Sequence, residues 1–383
     1  MGARVAIIAG EPSGDQLGAE LMRRIRALDP EAEIEGVAGP KMRAEGIRPI
    51  GDINELSLMG ITEVLRHVPR LIKLRRELVR YLVEDDPDVV IGIDSPDFNL
   101  ELERRVRKAG IATIHYVSPT VWAWRPGRIH KVLRAADQVF CLFPFEPELY
   151  REAGGNALFA GHPLAREITG PGNRAAARKE LDLPRSGLTV ALLPGSRVSE
   201  VARLAPIFLQ AAVEIHRQHP EVSFVIPAAD TACEEAIARR PEINQLDLPL
   251  RIVHGKARTA MTAADVVLCA SGTASLESML LIRPAVVAYK VHPWTYRFLN
   301  MFNLIRTERF AMPNILAGED LMPEFMQDEA RPELLARAVI KMLEHQTGRD
   351  RLAARFAALS ARLREGDPEQ AARAVLRLAA RSG

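Results

Sequence analysis

Two short acidic stretches, each directly behind an apolar run, carry the residue types from which proton-transfer chemistry is built. Asp94 and Asp97 lie in Gly92-Ile93-Asp94-Ser95-Pro96-Asp97-Phe98-Asn99, just after Val89-Val90-Ile91. Glu11, Ser13 and Asp15 lie in Glu11-Pro12-Ser13-Gly14-Asp15, just after Arg4-Val5-Ala6-Ile7-Ile8-Ala9-Gly10. In an open α/β sheet, ligands bind beyond the carboxyl ends of the strands. A carboxylate placed there can take a proton from an attacking hydroxyl.

A second pair of turns offers anion binding instead. Leu193-Pro194-Gly195-Ser196-Arg197 reads as a strand-to-helix turn whose backbone N–H groups can receive phosphate. Arg197 adds a charge-assisted donor. Cys269-Ala270-Ser271-Gly272-Thr273-Ala274-Ser275-Leu276-Glu277 is another small-residue turn opening a helix, with hydroxyls and N–H groups suited to a diphosphate. Glu277, one helical turn on, has the two oxygens needed to accept from vicinal ribose hydroxyls. Either turn alone reads equally well as an ordinary strand-helix connection, and it is the pair that points to a nucleoside diphosphate.

The elements that must hold these residues alternate short β-branched runs with amphipathic stretches, the pattern of parallel strands joined by crossover helices. Strands are expected near 4–9, 33–38, 89–93, 112–117, 138–143 and 157–160. Leu17, Leu21, Ile25 and Leu28 have helical spacing, and Val64 to Val83 forms a longer amphipathic stretch in which Pro69 marks a kink or a restart. The segment 169–185 is rich in Gly, Pro and charge and reads as a linker. The pattern then restarts at Leu188, with further strands near 222–227, 250–253, 266–270 and 285–291 and a helical tail from about 332 to 381. The expected fold class is α/β, two Rossmann-like doubly wound parallel-sheet domains facing across a cleft, with a helical C-terminal segment. The expected divisions are 1–165, 166–345 and 346–383.

Composition narrows the function classes. The 383 residues, 48% hydrophobic, suffice for two domains with cores of their own. A formal net charge of +2 argues against nucleic acid as a partner. Cys141, Cys233 and Cys269 are few and set among apolar residues, as expected of reduced structural thiols in a cytosolic protein. No signal peptide and no apolar run long enough to span a membrane are expected. The Gly-x-Gly-x-x-Gly fingerprint is missing after the first strand, since Gly10, Gly14 and Gly18 have the wrong spacing, and no Gly-Lys-Ser or Gly-Lys-Thr occurs. Asp86-Pro87-Asp88 matches the Asp-x-Asp pattern of metal-dependent glycosyltransferases but precedes its strand, at the wrong end of the sheet. No His, Asp and Glu grouping has metal-ligand spacing.

Several of these stretches together resemble one family. Gly10 to Asp15, Ala38-Gly39-Pro40, Met59-Gly60, Gly92 to Asn99, His115-Tyr116-Val117-Ser118-Pro119 with Val121-Trp122-Ala123-Trp124-Arg125, Leu193 to Arg197, Ala270 to Glu277 and Pro313-Asn314 look like those of lipid-A-disaccharide synthases. The resemblance runs from about residue 4 to the C-terminal helices. It implies a two-domain GT-B fold and inverting glycosyl transfer with no metal and no cofactor. The implied substrates are UDP-2,3-diacylglucosamine and 2,3-diacylglucosamine 1-phosphate, joined through the acceptor 6-hydroxyl into a β-1′,6-linked disaccharide with release of UDP. It also implies a homodimer built partly by exchange of C-terminal segments, the sequence itself fitting equally a tail packed back on the first domain of its own chain or of a partner, in a cytoplasmic protein associated peripherally with the inner membrane.

On this reading Asp94 is the general base, because the attacking hydroxyl becomes acidic only as its bond forms and a positioned carboxylate then suffices. Glu11 and Asp15 orient Asp94, bind sugar hydroxyls or stand in as base, and Asp97 caps the following helix. Arg197, Ser271, Gly272 and Thr273 hold the diphosphate. Glu277 and Asn314 belong to the UDP or sugar site, and Ser13, Met59, Asn99 and His115 are further substrate-binding positions. For His115 and His162, a phosphate contact and a hydrogen-bonded structural role are both open. Trp122 and Trp124 shape an acceptor pocket or pack in the core. An anionic membrane surface would meet Arg66, Arg70, Lys73, Arg75, Arg76 and Arg80, which alternate with Val68, Leu71, Ile72, Leu74, Leu78 and Val79, or the aromatic stretch His292 to Phe310. The competing readings are another UDP-sugar enzyme of the same architecture, such as a 2-epimerase or a different lipid-acceptor transferase, and a nucleotide-sugar-binding regulator without catalysis.

Overall fold

The computed structural model describes residues 2–57, 64–122, 126–240, 248–290 and 309–382. Within them the chain divides into two compact units, residues 1–163 with 363–383, and residues 164–362.

The first unit is a seven-stranded sheet in the order β3-β2-β1-β4-β5-β6-β7. Its strands are β1 (Arg4–Ala9), β2 (Glu33–Ala38), β3 (Arg48–Asp52), β4 (Val89–Ile93), β5 (Ala112–Tyr116), β6 (Gln138–Cys141) and β7 (Ala157–Phe159), and neighbouring strands are parallel throughout. Every residue of β4 is buried, as a strand covered by helices on both faces must be. The connecting helices are α1 (Pro12–Leu28), α2 (Pro40–Ala44), α3 (Asn54–Ser57), α4 (Val64–Asp85), α5 (Pro96–Lys108), α6 (Ile129–Ala135) and α7 (Glu146–Glu152). Alternation along β1 divides the core: Val5, Ile7 and Ala9 pack with Leu17, Leu21, Met22 and Ile25 of α1, whereas Ala6 and Ile8 pack with Leu78 and Leu82 of α4 and Leu102 and Val106 of α5. Helix α4 continues through Pro69 without a restart.

The second unit begins with α8 (Pro163–Glu167) and α9 (Arg174–Glu180). Its sheet holds β8 (Thr189–Leu193), β9 (Ser223–Ala228), β10 (Leu250–His254), β11 (Val266–Ala270), β12 (Ala285–Tyr289) and β13 (Glu324–Met326), in the order β10-β9-β8-β11-β12-β13. Its helices are α10 (Val198–Gln218), α11 (Thr231–Ala238), α12 (Ala257–Ala263), α13 (Thr273–Leu280), α14 (Met312–Ala317), α15 (Pro332–Glu344) and α16 (Gln346–Arg364). The last helix, α17 (Pro368–Ser382), belongs to the first unit, where Ala371, Ala372 and Val375 join the core beside α1 of the same chain.

Two expectations need correction. The stretch 169–185 is not an open linker: α9 lies on α12, and Arg178, itself buried, pairs with Asp265 at 2.9 Å while Arg174 pairs with the same carboxylate at 2.7 Å. The C-terminal segment expected to leave the second domain at 346 stays with it until Arg362, so only 363–383 returns to the first unit.

Candidate active site

Each sheet reverses its winding at one place. In the first unit β1 leads to β2 on one side and β4 lies on the other, so the crevice opens between the β1–α1 and β4–α5 turns. In the second unit the same reversal falls between β8 and β11. Both pairs of turns singled out in the sequence therefore sit at topological switch points.

In the first unit the β4–α5 turn is bent sharply and tied down. Asp94 (φ 54°) and Ser95 (φ 44°) are consecutive left-handed residues, and Ser95 is the N-cap of α5 with Pro96 behind it. Non-glycine residues in this region cost on the order of 1–3 kcal/mol each and persist only where the surroundings over-determine them. The determinants are visible. The Asp94 N–H donates to the Tyr116 carbonyl at 2.9 Å, and the Asn99 amide donates to the carbonyls of Asp94, Ile93 and Ile8 at 2.9, 3.2 and 3.3 Å. A Cβ on Gly10 would stand 2.1 Å from the Ser95 hydroxyl, so only glycine lets the β1–α1 turn press against this one. The Asp94 carboxylate accepts the Ser95 N–H at 2.8 Å and stays partly exposed. Glu11, the N-cap of α1, and Ser13 are exposed on the neighbouring turn.

Four residues expected to touch substrate are instead interior. Asp15 is 2% exposed, and its oxygens accept the N–H groups of Gly39, Lys41 and Met42 at 2.8–3.0 Å, so it caps α2 rather than orienting Asp94. Asn99 is buried with its amide used as described. His115 is buried on β5, its Nδ1 2.8 Å from the Glu103 carboxylate, and burial pushes that carboxyl up while His115 pulls it partly back. Asn314 is buried, donating to the Met322 carbonyl and the Glu324 carboxylate and accepting the N–H groups of Leu321 and Met322, which fixes the approach to β13. Asp15 and Asn314 have their polar groups committed to backbone or a buried partner, the usual state of an interior polar side chain, whereas Asn99 Oδ1 and His115 Nε2 are buried without a hydrogen-bond partner among the described residues. Met59 lies outside the described residues, as do Trp124 and most of His292 to Phe310. Trp122 donates its indole N–H to Glu146 at 3.2 Å and meets Phe145 edge-on, so it is anchored in the first unit.

The second unit contrasts with this. A cavity of about 490 Å³ lies at the switch point, lined among others by Gly195, Arg197, Lys256, Ser271, Thr273 and Glu277. Two helix N-termini open into it, that of α10 with Arg197 as N-cap and that of α13 with Gly272 as N-cap. The first N–H groups of a helix have no intrahelical partner and carry the positive end of the dipole, which together make an anion site. Gly272 has φ 139°, a conformation that a side chain would strain. Arg197 is 74% exposed and reaches Glu200 only at 3.9 Å. Ser271 is only partly occupied, its hydroxyl donating to the Phe310 carbonyl at 3.3 Å. Glu277 Oε1 accepts from Arg258 at 2.9 Å, and Arg258 also pairs with Glu167.

Sequence reasoning passed over one residue here and one in the first unit. Lys256, left-handed at φ 56° behind β10, lines the cavity as a second cation while its Nζ pairs with Glu180 at 3.1 Å; the Gly255-Lys256 pair after an apolar run was its signal. Glu146, behind the aromatic pair Phe143 and Phe145 that follows β6 in the first unit, accepts from Trp122, Leu142 and Phe143, and burial pushes its carboxyl up to about 7.

A family model described as lipid-A-disaccharide synthetase matches residues 5–376. The lipid-A-disaccharide synthase of Xanthomonas oryzae pv. oryzae (strain MAFF 311018) is 48% identical over 375 residues, covering 97% of this chain and 86% of that protein. That of Xylella fastidiosa (strain M12) is 47% identical over 378 residues, 98% of each. Among solved structures, the glycotransferase of kitacinnamycin superposes with a TM-score of 0.63 at 16% identity, covering 98% of this chain and 99% of its own. The UDP-GlcNAc 2-epimerase from Neisseria meningitidis bound to UDP-GlcNAc gives 0.60 at 10%, covering 95% and 98%. These structural likenesses establish a GT-B-type fold and leave the reaction open. The sequence relatives go further: the chain belongs to the lipid-A-disaccharide synthase family of glycosyltransferases.

Proposed function

We propose that this chain transfers 2,3-diacylglucosamine from UDP-2,3-diacylglucosamine to the 6-hydroxyl of 2,3-diacylglucosamine 1-phosphate with inversion, giving the β-1′,6-linked disaccharide 1-phosphate and UDP. The observation that carries the reading is Asp94, whose backbone is fixed on all sides while its carboxylate remains partly exposed. Asp94 takes the proton of the acceptor hydroxyl as that oxygen bonds to the anomeric carbon and the bond from that carbon to the diphosphate breaks. The negative charge that accumulates on departing UDP is met by Arg197, Lys256 and the N–H groups opening α10 and α13. Glu277 keeps one carboxylate oxygen on Arg258 and offers the other to the ribose hydroxyls. Glu11 and Ser13 bind acceptor hydroxyls from the adjoining turn.

Among the described residues no helix is long and apolar enough to cross a membrane. Acyl substrates must nevertheless be reached, and we assign the approach to the exposed cations Arg70, Lys73, Arg76 and Arg80 of α4 on the cytoplasmic face of the inner membrane. The apolar stripe of this helix, Leu78 and Leu82 foremost, is buried against the sheet, so docking there is electrostatic rather than insertive. Arg75 is better explained otherwise, since it donates to the Asp97 carbonyl and lies over Phe98. In a homodimer formed by exchange, a partner's copy of α17 takes the place that α17 holds here beside α1; light scattering on the purified protein decides between the two.

Incubation with both lipid substrates and mass analysis of the products tests the assignment. The disaccharide 1-phosphate is expected only when both are present. Isomerised donor without acceptor would indicate an epimerase, and an inert protein that still binds UDP would indicate a regulator.

A further inference from the structure

A groove of about 900 Å³ runs between α5 and α6 in the first unit and begins at Pro96 and Asp97, immediately behind the Asp94 turn. Its walls are cationic. Arg104 and Lys108 line it from α5, and Arg128, Lys131 and Arg134 line it from α6 and the residue before it, at the i, i+3 spacing that puts side chains on one helix face. Two acids share the groove and are already engaged: Asp97 pairs with Arg128, and Glu101 holds Arg104 at 2.8 Å. Lys108, Lys131 and Arg134 have no carboxylate partner among the described residues, although Arg134 spends its Nε on the His130 carbonyl.

A solvated helix face would carry such charges outward, where they cost nothing. Here two cationic faces of one unit converge on a concave surface in a chain whose net charge is only +2. Convergent like charges in a cleft repel one another and focus the field on whatever enters it. An anion with several oxygens relieves that repulsion, and guanidinium groups with lysines match phosphate best. Leu100 adds an apolar side, so the guest is an organic phosphate rather than a bare ion. Along α5, Asp97 and Arg104 are about 10 Å apart at 1.5 Å per residue, comparable to a hexose with its reacting hydroxyl at one end and a phosphate at the other.

We propose that the α5–α6 groove is the subsite for the phosphomonoester of the acceptor, an inference that rests on Asp94 being the base that serves that acceptor. It differs in kind from the cradle of the second unit: side-chain charge alone holds the acceptor phosphate, and backbone N–H groups with Arg197 and Lys256 hold the donor diphosphate. The groove thereby sets which hydroxyl of the acceptor reaches Asp94.

The test compares the wild type with Lys131→Glu/Arg134→Glu, and with Lys131→Ala/Arg134→Ala should the reversal unfold the chain by circular dichroism. kcat/KM is measured with the acceptor 1-phosphate and with the same acceptor lacking its phosphate. We expect the preference for the phosphorylated acceptor to fall by about tenfold or more, the loss of a charged contact or two, with the donor KM unmoved. An unchanged preference overturns the proposal. Sedimentation with phosphatidylglycerol vesicles separates the sources of phosphate: a variant that loses vesicle binding yet keeps the acceptor preference assigns the groove to lipid headgroups and overturns it as well. Should the wild type form no disaccharide, the functional reading fails by itself. Calorimetric titration with glucosamine 1-phosphate still decides the groove, supporting it if binding is present in the wild type and lost in the variant, and overturning it if the two titrate alike.

Discussion

The two switch-point crevices are built on opposite principles. At the end of β4 the backbone is bent into two successive left-handed residues and clamped by the buried Asn99 of α5. At the ends of β8 and β11 each turn carries a glycine, at φ 134° in one and φ 139° in the other, and borders the cavity, with the Ser196 N–H donating to Glu200 at 3.1 Å and the Ser271 N–H to the Ala288 carbonyl at 3.0 Å. A proton acceptor must be held in one place, whereas a flexible diphosphate needs donors and room. The difference in build is the one the proposed tasks call for.

That contrast can be broken first at Asp94. Asp94→Asn is expected to lower kcat by about 10²–10⁴-fold while calorimetry shows UDP binding intact, because the base and the nucleotide cradle reside in different units. Weakened UDP binding in this variant would mean that the two sites are not separable. Next is pH. Burial raises the folded-state pKa of Glu146 from 4.5 to about 7, so the unfolded chain releases the proton first as pH rises. Stability therefore falls between about pH 4.5 and 7, by roughly 3 kcal/mol, and stays low above that range. Glu146→Gln should flatten this slope in urea midpoints taken at successive pH values; a slope that survives would assign it to another group.

The clamp itself is tested by Asn99→Leu, which leaves the carbonyls of Ile8, Ile93 and Asp94 without their donor. A loss of about 2–3 kcal/mol in unfolding free energy is expected, together with reduced kcat as the Asp94 turn relaxes. On the open side Arg197→Ala should leave the melting temperature unmoved, since the side chain is 74% exposed, and weaken UDP by about tenfold. The smallest effect belongs to the surface: Arg76→Glu should reduce binding to anionic vesicles by about 1 kcal/mol. Unchanged vesicle binding would remove α4 from the membrane approach.

Much of this architecture was legible because parallel strands buried on both faces read as unbroken apolar runs, as β1, β4, β8 and β11 do. Strand β3 escaped because Arg48-Pro49-Ile50-Gly51-Asp52 has one apolar residue other than proline and lies at the sheet edge, where proline is tolerated. Strand β13 is three residues long and acquires its identity from β12 beside it. The site was legible in its turns and less so in its polar side chains. A sequence shows that Asp15, Asn99, His115 and Asn314 can hydrogen-bond, but their tertiary neighbours decide whether the partner is a ligand or the protein's own backbone. The α5–α6 groove was hidden for a similar reason: its cations are scattered over residues 104 to 134 and converge only when two helices lie side by side.

The contact between Gly10 and Ser95 has a practical corollary. With no room at that seam for a Cβ on Gly10, a side chain there forces the two turns apart and displaces Ser95 together with Asp94, the proposed base, beside it. Attempts to retune which acceptors this protein takes should therefore spare positions 10 and 95 and vary the helical flank at 104, 108, 131 and 134, where the proposed phosphate subsite predicts a change in acceptor preference.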